Sequence, residues 1–234
     1  MKKVLITGAT YGLGASLRDV LLKEGREVFT IGRSTINEIN DRHHHLTGDL
    51  VKHSDINRIA SSLSEVKFNL IIHNASALGE IGDVESITES SWNDTFMLNL
   101  FAPFFLTKKL LNNVNYGRVL FISSSAGVDP IPNLIAYSIT KSAIISLKES
   151  LNVGSSEYNI CYGCLDPGMI NTSMQSKLRN ATSDVFPQSK KFQQIYKIGL
   201  LKSPDELAIS IIDAVSNMSD KEFTSGMIKV KYGS

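Results

Sequence analysis

The run Tyr137-Ser-Ile-Thr-Lys141 sets a phenol and an ammonium four residues apart, and Ser124 stands thirteen positions before the tyrosine. Residues at that spacing share one face of a helix. A nearby ammonium favours the phenolate and so lowers the tyrosine pKa from its free value of roughly 10. Such a tyrosine exchanges a proton with an alcohol or a carbonyl near neutral pH. The same spacing also fits an ordinary pair on a surface helix, so the surrounding chain has to decide.

A second signal lies near the N-terminus, where an apolar run leads into Thr7-Gly8-Ala9-Thr10-Tyr11-Gly12-Leu13-Gly14. Gly8 permits a tight turn off a strand end. Gly12 and Gly14 let backbone approach a diphosphate and let a helix pack on the sheet. The helix N-terminus then offers free N–H groups and a favourable dipole to an anion. The spacing is not G-x-G-x-x-G, and three glycines also suit a plain connection. The position directly after the first strand favours the nucleotide. The next strand ends Ile31-Gly32-Arg33-Ser34, where an acid would bind the ribose hydroxyls of NAD. Arg33 instead offers a fork suited to a 2′-phosphate, which points to NADP(H); an ordinary exposed arginine is the alternative.

These groups need a scaffold to bring them together. The 234 residues are 42% hydrophobic and 20% charged, which suits one α/β domain, or at most two small ones, with a sizeable core. Short β-branched runs at Val4–Thr7, Glu27–Gly32, Phe68–His73, Gly117–Ser123, Asn159–Leu165 and Met227–Val230 read as strands, with His43–Leu46 a weaker candidate. Helical patterns cover Leu13–Lys23, Ser54–Leu63, Ser90–Asn112, Ala136–Leu151 and Pro204–Ser216. The alternation predicts a single doubly wound parallel sheet of Rossmann type, with helices on both faces. The long polar segment Asn171–Leu201 has an irregular pattern and sits just after a strand end, as a substrate loop or lid would.

A formal net charge of +1 makes no electrostatic case for nucleic acid or an anionic membrane. No apolar run has the length of a membrane span, and the first apolar run is too short for a signal peptide. Two cysteines make no disulfide framework, so a reducing cytoplasmic location is the default expectation.

Taken in order, the motifs resemble the classical short-chain dehydrogenase/reductase family over nearly the whole chain, Val4 to Val230. They are the Thr7–Gly14 loop, Asp49-Leu50, Asn74-Ala75, Asn99, Ile122-Ser123-Ser124, Tyr137-x-x-x-Lys141 and Pro167-Gly168-x-Ile170-x-Thr172. Ser76 departs from the glycine the family most often has there. The resemblance implies a general acid in Tyr137 and a substrate-oxygen partner in Ser124. It implies that Lys141 binds the nicotinamide ribose and lowers the Tyr137 pKa, and that Asn99 holds a proton-relaying water. It places the adenine amino group on Asp49 beside Leu50, the adenosine side on Asn74 and Ala75, and the carboxamide on Ile170 and Thr172. Gly8, Thr10, Tyr11, Gly12, Leu13, Gly14, Arg33, Ser34, Ser76, Pro167 and Gly168 complete the expected cofactor site. The nicotinamide supplies hydride chemistry; the protein supplies position and a proton.

A narrower likeness, carried by Met174-Gln175, Arg179, Phe186-Pro187, Phe192 and Gly199–Ala208, is to the benzil reductase and sepiapterin reductase branch, whose members reduce vicinal dicarbonyls. The pterin users are expected to carry a carboxylate near the C-terminus; this chain ends Lys229-Val-Lys-Tyr-Gly-Ser234. The resulting expectation is an NADP(H)-dependent reductase of a small carbonyl or dicarbonyl compound, acting as a homodimer or homotetramer. Alternatives are a pteridine or 3-oxoacyl reductase, and a non-catalytic NADP(H)-binding regulator. An extended-type epimerase would need a larger C-terminal substrate domain.

Local readings compete at several positions. Asn99 could support the bend at Pro103; Ser123, Ser124 and Ser125 could cap a loop; Pro167-Gly168 could be only a turn. Cys161 and Cys164, three apart in a strand, point to opposite faces, and adjacent residues of His43–His45 alternate, so neither run is read as a metal site. Trp92 and Phe96 read as core or a subunit contact.

Overall fold

The computed structural model describes residues 2–36, 41–154 and 157–230. Among these residues seven strands form one parallel sheet: β1 (Lys3–Thr7), β2 (Glu27–Gly32), β3 (His43–Thr47), β4 (Leu70–His73), β5 (Arg118–Ile122), β6 (Cys161–Asp166) and β7 (Ile228–Lys229). Their order is β3-β2-β1-β4-β5-β6-β7. The chain therefore winds outward from β1 in one direction and returns to begin again beside it with β4. Such a switch point opens a crevice at the C-terminal ends of β1 and β4, where Gly8 and Asn74 lie.

Strand side chains alternate between two cores. Leu5 joins the cluster containing Ile56 and Ile59 of α2 (His53–Ser62), while Val4 and Ile6 join the cluster containing Leu13, Leu17 and Leu21 of α1 (Gly12–Lys23). The sheet is thus buried on both faces, which is why its strands read as continuous apolar runs.

The helical run beginning at Ser90 is not one helix. It is α3 (Glu89–Phe96), a π-helical turn at Met97–Phe101, α4 (Ala102–Lys109) and a 3-10 turn at Leu111–Asn113. Pro103 explains the break: it has no N–H to give the carbonyl of Asn99 one turn earlier. A wide turn absorbs the mismatch, and such turns concentrate at functional sites. Next come α5 (Ile135–Gly154), α6 (Ser173–Asn180), α7 (Ser189–Lys197), α8 (Pro204–Asn217) and α9 (Asp220–Thr224). The irregular pattern expected over 171–201 resolves into α6 and α7, which pack on each other. The last expected strand shortens to two residues, and the weak candidate at His43 is a full strand.

Candidate active site

α5 carries Tyr137 and Lys141 on one face, and β5 runs out into Ser124. The three serines there have separate fates. Ser123 is buried and donates to the Lys141 carbonyl at 3.3 Å. Ser125 is exposed. Ser124 is half-buried, caps the 3-10 turn Ser125–Gly127 by accepting from the Ala126 N–H at 3.1 Å, and hydrogen-bonds the Tyr137 phenol. The serine picked out by its register to the tyrosine is the one that meets it.

The electrostatics differ from the expectation that Lys141 lowers the tyrosine pKa. Burial pushes the Tyr137 phenol up to about 12; the Ser124 hydrogen bond pulls it down, and Asp166 pushes it up further. One N–H of the Lys141 ammonium is directed elsewhere. It donates to the Ile122 carbonyl at 2.8 Å and lies 5.4 Å from the centroid of the tyrosine ring. Burial also lowers Lys141 itself to about 8. The pair is juxtaposed as predicted, but removal from water outweighs their mutual effect.

Asn99 lies in the π-helical turn and is buried. Its Oδ1 accepts from the Ala77 N–H at 2.8 Å and the Ser76 hydroxyl at 3.1 Å; its Nδ2 donates to the Ala77 carbonyl at 2.8 Å and to Thr140 Oγ1 at 3.0 Å. Thr140 in turn donates to the Tyr137 carbonyl at 2.8 Å. The side-chain amide is therefore a brace between the loop after β4 and the helix of Tyr137. Its backbone carbonyl is the group to which Pro103, four residues on, can give no N–H. Thr140 went unnoticed in the sequence although it lies inside the Tyr137–Lys141 run; only the fold shows that it faces Asn99.

The phosphate loop is built by close packing. A Cβ on Gly8, whose φ is +70°, would come within 2.7 Å of the Ala75 Cα, and one on Gly14 would strike the Gly8 carbonyl and Asn74 Nδ2. Asn74 donates to the carbonyls of Thr7 and Gly8 at 3.1 and 2.9 Å, and Thr7 Oγ1 accepts from the N–H groups of Asn74 and Ala75. Asn74 and Ala75 thus hold the loop's shape. Gly12 opens toward Thr172, whose methyl lies 3.5 Å from where its Cβ would be. α1 has no side-chain cap and no acid in its first turn, so its N-terminal N–H groups suit an anion. Tyr11 is exposed at the N-cap, and Leu13 is buried in the core under α1.

Along the rim, Thr10 Oγ1 presses on Gly32, Arg33 is exposed at the end of β2, and Ser34 accepts from His45 Nε2 at 2.9 Å. Asp49 Oδ1 accepts from the Val51 N–H at 3.2 Å, and Leu50 is buried. After β6, Gly168 turns at φ +70° and donates to Asp166 Oδ1 at 2.9 Å. Pro167 precedes it, and Ile170 bridges to Lys202 before Thr172 starts α6. All these residues border the crevice side of the sheet. A dinucleotide fits this donor set: glycine-lined backbone at a free helix end, an exposed cation at the next strand, and a buried phenol beyond.

α6 and α7 close over the phenol. Tyr137 belongs to one apolar cluster with Leu78, Ala126, Leu134, Leu178, Phe186 and Phe192, against which Met174 and Ile131 pack. Of the other sequence signals, Cys164 packs in one core and Cys161 against the other, on opposite faces of β6. His43 and His45 share Thr30 Oγ1 at 2.9 and 2.8 Å, while His44 stacks on Phe29. Trp92 and Phe96 stack at 4.7 Å. Among the described residues no helix is long and apolar enough to cross a membrane.

A parallel sheet whose strand order reverses at a glycine-lined crevice, with a serine and a Tyr-x-x-x-Lys helix beyond it, defines a nucleotide-binding oxidoreductase fold. The family model "short chain dehydrogenase" matches residues 2–183, and the chain belongs to that family of oxidoreductases. An uncharacterised oxidoreductase of Bacillus subtilis is 33% identical over 71% of this chain and 68% of its own length. The benzil reductase, (S)-benzoin forming, of Bacillus cereus is 24% identical over 97% of this chain and 98% of its own. Among solved structures, the 3-ketoacyl-(acyl-carrier-protein) reductase of Brucella melitensis, complexed with NADH, superposes with a TM-score of 0.80 at 22% identity, covering 98% of this chain and 96% of that one.

Proposed function

We propose that this chain is an NADPH-dependent reductase of small carbonyl or vicinal dicarbonyl compounds. The observation that carries the reading is the buried Tyr137 phenol, hydrogen-bonded to Ser124 and roofed by apolar side chains. The nicotinamide, when bound, supplies the hydride. Ser124 holds the carbonyl oxygen. Tyr137, protonated at neutral pH because burial raises its pKa, donates the proton that the nascent alkoxide takes up. Lys141 binds the ribose hydroxyls, and Asn99 offers a water to it through the backbone carbonyl that Pro103 cannot serve. The apolar cluster keeps bulk water from competing for the proton.

Arg33 supports NADP(H) over NAD(H), since an exposed guanidinium stands where an acid would serve NAD. Asp49 and Leu50 receive the adenine, Asn74, Ala75 and Ser76 shape the adenosine side, and Ile170 and Thr172 hold the carboxamide. The likeness to a benzil reductase supports the dicarbonyl class. The reading extends to one catalytic domain over residues 1–234, with 171–201 as its substrate loop, working in the cytoplasm as a homodimer or homotetramer. The test follows NADPH absorbance against diketones, pterins, quinones and 3-oxoacyl thioesters. Turnover of small diketones or ketones is expected; tight NADPH binding without oxidation across the panel refutes the reductase and favours a regulator.

A further inference from the structure

Two buried side-chain polar atoms within 171–201 lack a hydrogen-bond partner among the described residues: Gln175 Nε2 and Ser189 Oγ. The glutamine is the more informative. It is only 5% exposed, and its Oε1 accepts from a guanidinium N–H of Arg179. Arginine has donors and no acceptor, so this contact fixes which way the amide lies: carbonyl toward Arg179, NH2 turned away from it. Arg179 is itself held. Its guanidinium lies 4.0 Å over the Tyr196 ring, reaches Asn171 Oδ1 at 3.4 Å, and its backbone carbonyl accepts from Gln193 Nε2 at 2.8 Å. A pair of oriented, desolvated N–H bonds with nothing to receive them is costly to keep in a folded protein.

The location gives the cost a purpose. Gln175 sits on α6 between Met174 and Leu178, both packed in the cluster that contains Tyr137. The same helix starts from Thr172, against Gly12 of the phosphate loop. We infer that Gln175 is a specificity-determining residue whose amide donates to a second substrate oxygen, next to the carbonyl served by Tyr137 and Ser124. This rests on the reductase reading above. The substrate class is then a 1,2-dicarbonyl with apolar flanks: one oxygen for the phenol and serine, one for the amide, and hydrocarbon toward the apolar cluster around Tyr137. The donor is neutral and Arg179 is spent on Gln175 and Tyr196, so a diketone is recognised in preference to an ionised keto acid.

The test compares benzil with deoxybenzoin, in which a methylene replaces one carbonyl. Binding is measured by calorimetry to the full chain at saturating NADP+, where no turnover occurs. The wild type should bind benzil about tenfold more tightly, the worth of one well-placed hydrogen bond. Gln175→Met keeps the length and removes the donors. Gln175→Glu keeps the acceptor facing Arg179 and also removes them. Once melting curves show the variants folded, Gln175→Met should bring the ratio to about one, and Gln175→Glu, whose second oxygen is an acceptor facing an acceptor, to one or below. A ratio unchanged in a folded variant overturns the assignment, as does a wild type with no preference. Turnover is read separately: if wild type reduces neither compound nor any other carbonyl with NADPH, the reductase reading fails while the binding ratio still judges Gln175.

Discussion

His73 ends β4 immediately before Asn74, and its burial makes a quantitative prediction about acid stability. Its Nε2 lies 2.8 Å from Thr107 Oγ1, and its ring stacks on Phe121 at 5.3 Å. Burial holds its pKa at about 3, against an ordinary 6.5. Between those two values the unfolded chain binds a proton that the folded chain refuses. Its contribution to stability is therefore whole above about pH 6.5, falls as pH falls, and is exhausted near pH 3. The slope is about 1.4 kcal/mol per pH unit, so moving from pH 7 to pH 5 costs about 2 kcal/mol. Asp55, held low by the Asp49 N–H, and Glu222, held low by Ser219, have ordinary values of 3.8 and 4.5 and give up their share at lower pH. His73→Gln removes the titration while its amide still reaches toward Thr107. Urea unfolding of both proteins at the two pH values gives the double difference. Wild type should lose about 2 kcal/mol more than the variant on acidification; equal losses would mean that His73 takes up its proton without unfolding.

Further expectations concern the site. Tyr137→Phe should lower turnover by roughly a hundredfold to ten-thousandfold, the usual worth of a general acid, with NADPH affinity by fluorescence titration nearly unchanged; retained activity removes the phenol from the mechanism. Arg33→Ala should weaken NADPH far more than NADH in the same titration, and equal loss for both would mean that the guanidinium does not meet the 2′-phosphate. Gly14→Ala forces a methyl into the Gly8 carbonyl and Asn74, which should destabilise by about 1–3 kcal/mol and lower the melting temperature. A variant melting with wild type would show that the seat of α1 has room to spare.

Pattern sufficed where one physical cause dominates. Buried parallel strands announce themselves as apolar runs, and the glycine loop after β1 could be read because backbone proximity leaves room for little else. Ser124 was separable from its neighbours by register alone. Other features depend on what packs where. The π-helical turn hides inside a good helical period, and only the pairing of Asn99 with Pro103 betrays it. α9 was missed although Ser219-x-x-Glu222 is a capping box, and both halves of that box form. Gly163 gave no sign that the Phe223 ring of α9 would rest directly on it. The Tyr137 pKa was expected to fall because charge is visible in a sequence and desolvation is not; the fold buries both partners and reverses the sign.

The phenol's membership of the apolar roof ties adaptation to robustness. Any change that reshapes the roof for a bulkier or more polar guest also withdraws contacts that hold α6 and α7 in place. Descendants of this sequence that switch guests must therefore draw compensating stability from elsewhere in the molecule, and the parts of the two sheet-facing cores away from the cofactor loops, such as Leu21, Ile59, Leu63 and Val215, are where such repairs can accumulate without touching selectivity.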